Sequence, residues 1–358
     1  MSQKISVRGP DQLLTVLPYQ LGYHPRRSVV AVALADRRVH FVARVDIPPD
    51  PYVPETVAAL VGPLRREASG PVHLVGYEDT PDASGPLLLA LVEELESGGT
   101  EVAEVFVVRD GRRYSPTCSR PCCPPEGVAL PPPEAVPAVA ELVALGRAPL
   151  ADRDAVAGLV EAHDPVAGEV GRRLGVTTGP PRRRRETVRA WAALLDREQV
   201  ERGDSPRPDL VARAVAGLRD VTVRDTVIAW LAPGVIPRDA LDPVVLTLCE
   251  RWLPRWGGMG RWGAPDREAG ERDAVLARLL ALCRCVPDDR PDDAAAVCTT
   301  AAHVAWAGGD GAVTRSALDR ALRVEPGYRL ARLLARLVEH GLRLDRPPAS
   351  PGALERAG

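Results

Sequence analysis

An uninterrupted apolar run, SVVAVALA at residues 28–35, constrains the fold of this chain more than any other segment. Such a run is typical of a strand that is buried on both faces, because a half-exposed strand alternates apolar with polar side chains. The next segment, VHFVARVDIP, does alternate, with Val39, Phe41 and Val45 on one face and a more polar opposite face. We expect the two segments to form a β-hairpin.

Helices and strands alternate on either side of this hairpin. PETVAALVGPLRREA predicts a helix that is kinked or broken at Gly62–Pro63, PVHLVGY a strand, SGPLLLALVEELES a helix between Pro86 and Gly98, and EVAEVFVV a strand. Before the hairpin, Asp11 is the expected N-cap of a short helix that stops near Pro18. The pattern predicts an α/β N-terminal domain with a mixed, partly parallel sheet and flanking helices, in two or three layers.

From residue 134 onward, apolar residues recur at helical spacing between proline and glycine stops, which predicts an all-α C-terminal domain. Near its end, Gly309, Ala321, Leu322 and Pro326 fall where a tetratricopeptide helix pair has a turn glycine, packing residues and a terminal proline. We therefore expect tetratricopeptide-like helical hairpin packing. The predicted domains are an α/β domain at 1–130, a helical domain at 131–345 and a disordered tail at 346–358.

Composition limits the class of protein and its partners. The 358 residues are 45% hydrophobic and 26% charged, as in ordinary globular proteins, and the formal net charge of -2 argues against a general polyanion binder. The N-terminal MSQKISVRGPDQLL has no apolar signal region, and no apolar run approaches membrane-spanning length. The 7 cysteines, without an export signal, indicate reduced thiols. We expect a cytoplasmic protein that contacts neither membrane nor nucleic acid, with its oligomeric state left open.

Three of the cysteines, Cys118, Cys122 and Cys123, lie in one proline-rich segment, YSPTCSRPCCPPEG, which follows the last predicted strand. Their C-x3-C-C spacing lacks the second knuckle of a structural zinc site, so a fourth ligand would have to be remote. The candidates for that ligand are His73, Cys283 and Cys285. A thiol switch, a disulfide between the adjacent pair and a catalytic thiolate are further alternatives. The favoured interpretation is a rigid turn whose thiols pack as small hydrophobes, with no metal or other cofactor.

A candidate ligand site surrounds the hairpin. His24, in LGYHPRRS, precedes the first strand, and Arg44 and Asp46 lie with His40 on the more polar face of the second. Together with the cysteine loop, these residues are the predicted wall of a small-ligand pocket. The competing interpretations are a plain helix-to-strand connection at His24 and an exposed ion pair between Arg44 and Asp46.

Two further motifs have weaker support. GMGRWG at residues 258–263 matches G-x-G-x-x-G, but a tryptophan-rich helical end precedes it instead of a buried strand, so we do not assign dinucleotide binding to it. The tryptophans around it, Trp252, Trp256 and Trp262, are either an apolar docking surface or a local core. PPRRRRE at residues 180–186 indicates a solvated helix entrance in preference to a nucleic-acid contact.

The residue content disfavours several enzyme chemistries. Lys4 is the only lysine, which leaves none for a phosphate-binding P-loop or a Schiff base. The sequence also lacks the G-x-S-x-G, H-E-x-x-H and EF-hand motifs. These observations favour a protein that is not an enzyme.

Three stretches together carry a family resemblance. They are LLTVLPYQLGYHPRRSVVAVAL followed by ARVDIP, then CSRPCCPPEG, and finally AWAGGDGAVTRSALDRALRVEPGYRLARLL. In their order and spacing, from about residue 11 to about residue 342, the chain resembles the actinobacterial domain-of-unknown-function family 4192 (DUF4192). The resemblance implies an intracellular actinobacterial protein and brings no assigned activity, substrate or cofactor.

The favoured function is a non-enzymatic protein-interaction or regulatory module with a protein partner, because stacked helical hairpins present surfaces suited to such partners. One alternative is an enzyme or small-ligand sensor whose pocket, lined by His24, Arg44 and Asp46, lies in the α/β domain. Another is a thiol- or metal-responsive module centred on the three loop cysteines.

Overall fold

The apolar run at residues 28–35 forms a strand in the computed structural model of this protein, which describes residues 9–35, 38–68, 70–118, 120–144, 146–163, 165–176, 184–255 and 269–344. The chain divides into two compact units. The α/β unit comprises Met1–Arg153 and Glu339–Leu342, and the helical unit comprises Asp154–Val338 and Arg343–Gly358. The tail predicted at residues 346–358 lies outside the described residues.

The α/β unit contains one mixed sheet and the helices that flank it. Its elements are α1 Pro10–Leu21, β1 Ser28–Ala35, β2 Arg38–Asp46, α2 Val53–Glu67, β3 Val72–Tyr77, α3 Gly85–Ser97, β4 Val102–Arg109, β5 Arg112–Tyr114, β6 Val128–Ala129 and α4 Pro137–Ala144. Within the described residues the strand order is β2-β1-β3-β4-β5-β6. β3 and β4 are parallel, and the other neighbouring pairs are antiparallel. The predicted hairpin and the predicted partly parallel sheet are confirmed.

Helices cover both faces of the sheet, as the apolar run of β1 requires. On one face, Val29 and Ala31 pack with apolar residues of α2 and α3, including Leu64 and Leu91. On the other face, alternate β1 residues pack with α1 through Leu17. The side chains in these two layers are almost completely removed from water, so burial of β1 on both faces supplies much of the driving force for this unit.

Helix α4 joins the α/β unit because its apolar face packs against α1. Val16 of α1 is buried among Val136, Val139 and Leu142. The sequence placed the end of the α/β domain near residue 130, whereas the first segment of the compact unit extends to Arg153. The proline-rich stretch before α4 is therefore a connection inside this unit.

Two helices continue past the prolines that were expected to stop or kink them. Pro18 lies inside α1, which ends at Gly22 in a left-handed conformation (φ 80°). Pro63 lies inside α2, between Leu60 and Leu64, which are both buried against the sheet. Burial of these flanking side chains offsets the hydrogen bond that a helix loses at an internal proline.

The structure contains a hairpin that the sequence analysis missed. Asp110 and Gly111 connect β4 to β5 with φ angles of 51° and 69°. Two consecutive positive φ angles are typical of the tight turn that Asp-Gly favours between antiparallel strands. The turn brings β5 against β4, and β6 then pairs with β5.

The remaining helices form the helical unit, where Trp191 and Trp230 are completely buried. Gly309, with φ 80°, ends α13, and the Asp310 carboxylate caps α14 by accepting a hydrogen bond from the Val313 amide at 3.0 Å. None of the described helices is long and apolar enough to cross a membrane. The helices are α5 Arg153–Gly158, α6 Ala167–Val176, α7 Arg184–Leu194, α8 Arg197–Glu201, α9 Pro208–Gly217, α10 Val221–Leu231, α11 Pro243–Trp252, α12 Ala269–Arg284, α13 Pro291–Gly308, α14 Gly311–Val324 and α15 Arg329–Glu339.

The helical C-terminal region is thus confirmed, and α13 and α14 form a helical hairpin. The closer likeness to tetratricopeptide packing stays a prediction.

Candidate functional site

The three cysteines lie in the connection between β5 and β6, which we call the cysteine loop (residues 115–127). This segment was expected to follow the last strand, but β6 follows it in the structure. Tight turns shape the loop: the amide of Cys118 donates to Ser115 O at 3.4 Å, that of Cys123 to Arg120 O at 2.8 Å, and that of Gly127 to Pro124 O at 2.8 Å. Closely spaced turns fold the loop back on itself.

The turns bring the three thiols together. The sulfur atoms of Cys118, Cys122 and Cys123 all lie within 4.8 Å of one another, and those of the adjacent pair are 3.9 Å apart. All three cysteines are free thiols. A disulfide requires a sulfur–sulfur distance of about 2.05 Å, so the adjacent pair is not joined in this structure. Cys122 is exposed and the other two are half-buried, so the cluster is accessible from solvent.

Arg113 of β5 connects the thiol cluster to the body of the unit. Its Nη1 lies 3.6 Å from the sulfur of Cys123, and its Nε donates to the carboxylate of Asp11 on α1. The guanidinium also lies 5.9 Å from the centre of the Phe106 ring. These contacts fix the guanidinium beside the Cys123 sulfur and so tie the thiol cluster to α1 and β4.

The local hydrogen bonds also distinguish the thiols. Hydrogen bonding to the backbone at Arg120, followed by hydrogen bonding to Cys123, lowers the pKa of Cys118. Hydrogen bonding to Cys123 raises the pKa of Cys122. We therefore expect Cys118 to become a thiolate before Cys122 as the pH rises.

Gly127 and Arg112 hold the end of the loop against β5. Arg112 donates from Nε to Glu126 O at 2.8 Å and from Nη2 to Gly127 O at 2.9 Å. Gly127 has φ 74°, and a Cβ there would lie 2.7 Å from the Tyr114 ring and 2.9 Å from Arg113 O. Both the backbone conformation and the lack of space require glycine at this position.

We expect Gly127→Ala to disorder the cysteine loop and Gly111→Ala to leave it intact. Both residues have positive φ, at 74° and 69°, but a Cβ at Gly111 meets nothing within 4 Å. The shared conformational strain costs about 1–2 kcal/mol, and the overlap at Gly127 adds about 1–3 kcal/mol. Amide hydrogen exchange across residues 112–130 measures the difference. Equal protection in the two variants contradicts the steric argument.

The three residues that the sequence suggested as a remote fourth metal ligand, His73, Cys283 and Cys285, are engaged or buried elsewhere. Nδ1 of His73 lies 3.6 Å from a carboxylate oxygen of Glu104, and burial lowers the pKa of His73 while Glu104 opposes this shift. Cys283 and Cys285 are completely buried in the helical unit. Within the part of the chain that the structure describes, the metal-ligand cluster consists of the three loop cysteines.

The structure does not bring the other candidate residues to the cysteine loop. Arg44 and Asp46 lie on β2, at one edge of the sheet, and the loop joins β5 to β6 at the other edge. Three strands separate β2 from β5, which corresponds to about 19 Å at the usual strand spacing. Arg44 and Asp46 form an ion pair of 2.6 Å, and the Asp46 side chain is mostly exposed. The predicted wall of a shared pocket is therefore divided between two edges.

His24 lies on the surface in a helix-to-strand connection. It is exposed, and its amide donates to Leu150 O at 3.0 Å, next to a bridge between Tyr23 and Leu150. No described hydrogen bond or ion pair joins His24 to Arg44, Asp46 or a loop cysteine. The side chain of His40 is outside what the structure describes, as are GMGRWG at residues 258–263 and the start of PPRRRRE.

A second buried polar group, which the sequence analysis missed, lies at the carboxyl ends of parallel strands β3 and β4. The Glu78 side chain, 1% exposed, accepts hydrogen bonds from Ser84 N at 2.8 Å, Ser84 Oγ at 2.6 Å, Asp82 N at 3.2 Å and Arg109 Nη1 at 3.1 Å. In the sequence, this group could have been found from the charged residues Glu78 and Arg109 at the ends of two apolar strands.

The position of Arg113 beside the cysteine loop could have been found from the Asp-Gly dipeptide at residues 110–111, which predicts the turn into β5.

The chain was also compared with known proteins. A family model described as "Domain of unknown function (DUF4192)" matches residues 10–249 and 265–344, which include the cysteine loop. No curated protein and no solved structure matches the chain. Because the family match covers most of the sequence, the chain belongs to the family described as a domain of unknown function, DUF4192.

Proposed function

We propose that the α/β unit is a metal-responsive module that binds a soft metal ion, Zn²⁺ or Cu⁺, through Cys118, Cys122 and Cys123. The observation that carries this proposal is the convergence of three sulfur atoms within 4.8 Å of one another. Thiolates are the ligands that these ions prefer over the harder Mg²⁺ and Ca²⁺.

The geometry is close to that of a bound site. Zinc–sulfur bonds of about 2.3 Å in a tetrahedron place the sulfurs about 3.8 Å apart. The adjacent pair, at 3.9 Å, already has this separation, and the limit for the whole cluster is 4.8 Å. Bringing all three sulfurs to the separation of a bound site requires a shift of at most about 1 Å. A fourth ligand can approach from solvent at Cys122.

The surroundings of one thiol favour its thiolate form. Hydrogen bonding to the backbone at Arg120 lowers the pKa of Cys118, whereas hydrogen bonding to Cys123 raises the pKa of Cys122. Metal ions displace the protons that remain, so affinity decreases as the pH falls through the thiol pKa values. Metal binding then stabilises the folded loop by an amount that grows with the logarithm of the ratio of metal concentration to Kd.

The test is a metal titration of the full chain under reducing conditions. We expect one Zn²⁺ or Cu⁺ per chain, and loss of that ion in the double variant Cys118→Ser and Cys122→Ser, because one remaining thiolate cannot hold it. Isothermal titration calorimetry and elemental analysis measure the stoichiometry. Titrations at two pH values should show stronger binding at the higher pH.

The matched control is Cys249→Ala, which removes a thiol that is completely buried in α11 of the helical unit. It should retain the full stoichiometry. Stoichiometric metal that survives in the double variant, or native protein that binds neither ion, contradicts the proposal. Reversible oxidation of the loop thiols in metal-free protein would instead support the thiol-switch alternative.

The prediction that the helical region binds a protein partner stays a prediction. The helical hairpin of α13 and α14 is consistent with it, and Leu333 and Leu337 of α15 are 48% and 38% exposed. Loss of a co-purifying partner on deletion of residues beyond about 290 would support this role, and retention of every partner would exclude it.

A further inference from the structure

Four arginines and a tryptophan of the helical unit form a surface that we call the arginine patch: Arg185, Arg189, Arg251, Arg255 and Trp252. The guanidinium carbons of Arg189, Arg251 and Arg185 lie 4.3, 5.3 and 5.9 Å from the centre of the Trp252 ring. That of Arg255 lies 5.4 Å from the ring of Trp230. The start of α7 and the end of α11 thus contribute to one cationic surface.

Among the described residues, the arginines of the patch lack the carboxylate partners that the neighbouring Arg184 has. Within the described residues, no hydrogen bond or ion pair joins any of these four side chains to a carboxylate. The preceding residue, Arg184, shows the usual arrangement, with Asp220 at 2.7 Å and Asp242 at 3.4 Å. All four arginines are exposed, so their donors are accessible to a ligand.

This arrangement is electrostatically unfavourable without an anion. Three guanidinium groups around one ring repel one another, and cation–π attraction at exposed sites is worth only about 0.5–1 kcal/mol each. Arg185 also lies in the first turn of α7, where the helix dipole disfavours a cation. Arg251, in the last turn of α11, is the one whose position the dipole favours. In addition, the buried Nε1 of Trp252 has no acceptor among the described residues.

The ligand that relieves this repulsion must be compact and multiply charged. A single carboxylate neutralises one guanidinium, whereas linked phosphates carry several charges and accept paired hydrogen bonds from the planar arginine fork. The net charge of -2 for the whole chain argues against a long polyanion, because general polyanion binders carry a strong basic excess.

We propose that the arginine patch binds a compact ligand with two or three linked phosphate groups, as in a nucleoside diphosphate or triphosphate or a short inorganic polyphosphate. Arg189 and Arg251, the two nearest to the Trp252 ring, contact the phosphates, and the ring holds their guanidinium planes in place. This site is independent of the cysteine loop.

The test uses calorimetric titration of the full chain at low ionic strength with sodium tripolyphosphate and, separately, with adenosine triphosphate. A third titration uses a fluorescein-labelled single-stranded oligonucleotide. We expect the double variant Arg189→Ala and Arg251→Ala to lower the affinity for tripolyphosphate about tenfold or more, because each lost contact is a charge-assisted hydrogen bond. Tighter binding of adenosine triphosphate than of tripolyphosphate would identify a nucleotide as the source of the phosphates, and the reverse a free polyphosphate.

The control is Arg332→Ala with Arg336→Ala, which removes the same charge from exposed positions on α15. It should change the affinity less than about twofold, because screening limits the effect of distant surface charges. Equal loss in both double variants, binding of the oligonucleotide alone, or no binding of either phosphate compound would overturn the proposal. Circular dichroism of both variants establishes that each remains folded.

Discussion

Replacement of Arg320 by alanine is expected to lower the free energy of unfolding of the helical unit by about 3–5 kcal/mol. The side chain of Arg320 is 0% exposed, which is rare for arginine. Its guanidinium donates to Cys283 O at 2.7 Å, to Val286 O at 2.6 Å and to Val160 O. The change leaves Val160 O and Val286 O without this donor, whereas Cys283 O keeps a hydrogen bond from the Val286 amide at 3.2 Å.

The position of these carbonyls explains the size of the effect. Cys283 O and Val286 O belong to the end of α12 and the residues that follow it, where a helix has unsatisfied acceptors. Arg320 of α14 donates to both carbonyls and also contacts Asp288 at 2.8 Å. It therefore connects α14, the end of α12 and the segment after α5 through one buried group.

The matched control is Arg323→Ala, one turn further along α14. Arg323 pairs with Asp288 at 3.0 Å and with Glu161 at 2.6 Å, but its side chain is 51% exposed. Exposed pairs contribute about 0–1 kcal/mol, so this change should have a small effect. All 6 tryptophans belong to the helical unit, so tryptophan fluorescence in a urea titration follows this unit. Equal destabilisation in the two variants would contradict the role of burial.

In the α/β unit, Glu78→Ala is expected to cost about 3–5 kcal/mol and to loosen the connection between β3 and α3. The change leaves the Ser84 amide and hydroxyl and the Arg109 guanidinium without their acceptor. Ser84 is completely buried, so water cannot replace the lost carboxylate there. Glu78→Gln retains one acceptor oxygen and should have an intermediate effect.

Glu104→Ala is the comparison for this second prediction. Its side chain is 47% exposed, and its contact with His73 is 3.6 Å long, so about 0–1 kcal/mol is expected. Because the α/β unit contains no tryptophan, amide hydrogen exchange in β3 and α3 is the suitable measurement. Unchanged protection in Glu78→Ala would show that the carboxylate does not hold this connection.

The sequence predicted the elements whose pattern is local. It did not predict the short strands that depend on one turn, or the continuation of two helices past prolines that are offset by tertiary packing. The sheet and its covering helices were predicted from the apolar run of β1, the alternation in β2 and the helical periodicity of the segments around them. The prolines of α1 and α2 were wrongly expected to stop or kink these helices. In α2, tertiary burial of Leu60 and Leu64 outweighs the hydrogen bond that is lost at Pro63. The short strands β5 and β6 lack a period, and only Asp110–Gly111 indicated them.

The candidate sites show the same division. Cysteine spacing alone predicted an unfavourable metal site, because sequence cannot show how three consecutive turns direct the sulfurs. The arginine patch joins two helices that the sequence analysis treated separately, and the Asp11–Arg113 contact spans 102 residues. In the second and third cases the interacting groups are distant along the chain, and in the cysteine loop the backbone turns decide where neighbouring sulfurs lie.

The sequence by itself determined the α/β N-terminal part, the helical C-terminal part and the family, because hydrophobic period and motif order are properties of neighbouring residues. Only the tertiary structure decided where Cys118, Cys122 and Cys123 lie relative to Arg113, and that Arg44 and Asp46 lie at the opposite edge of the sheet. Strand order and loop conformation result from packing between distant segments, and no local period encodes them.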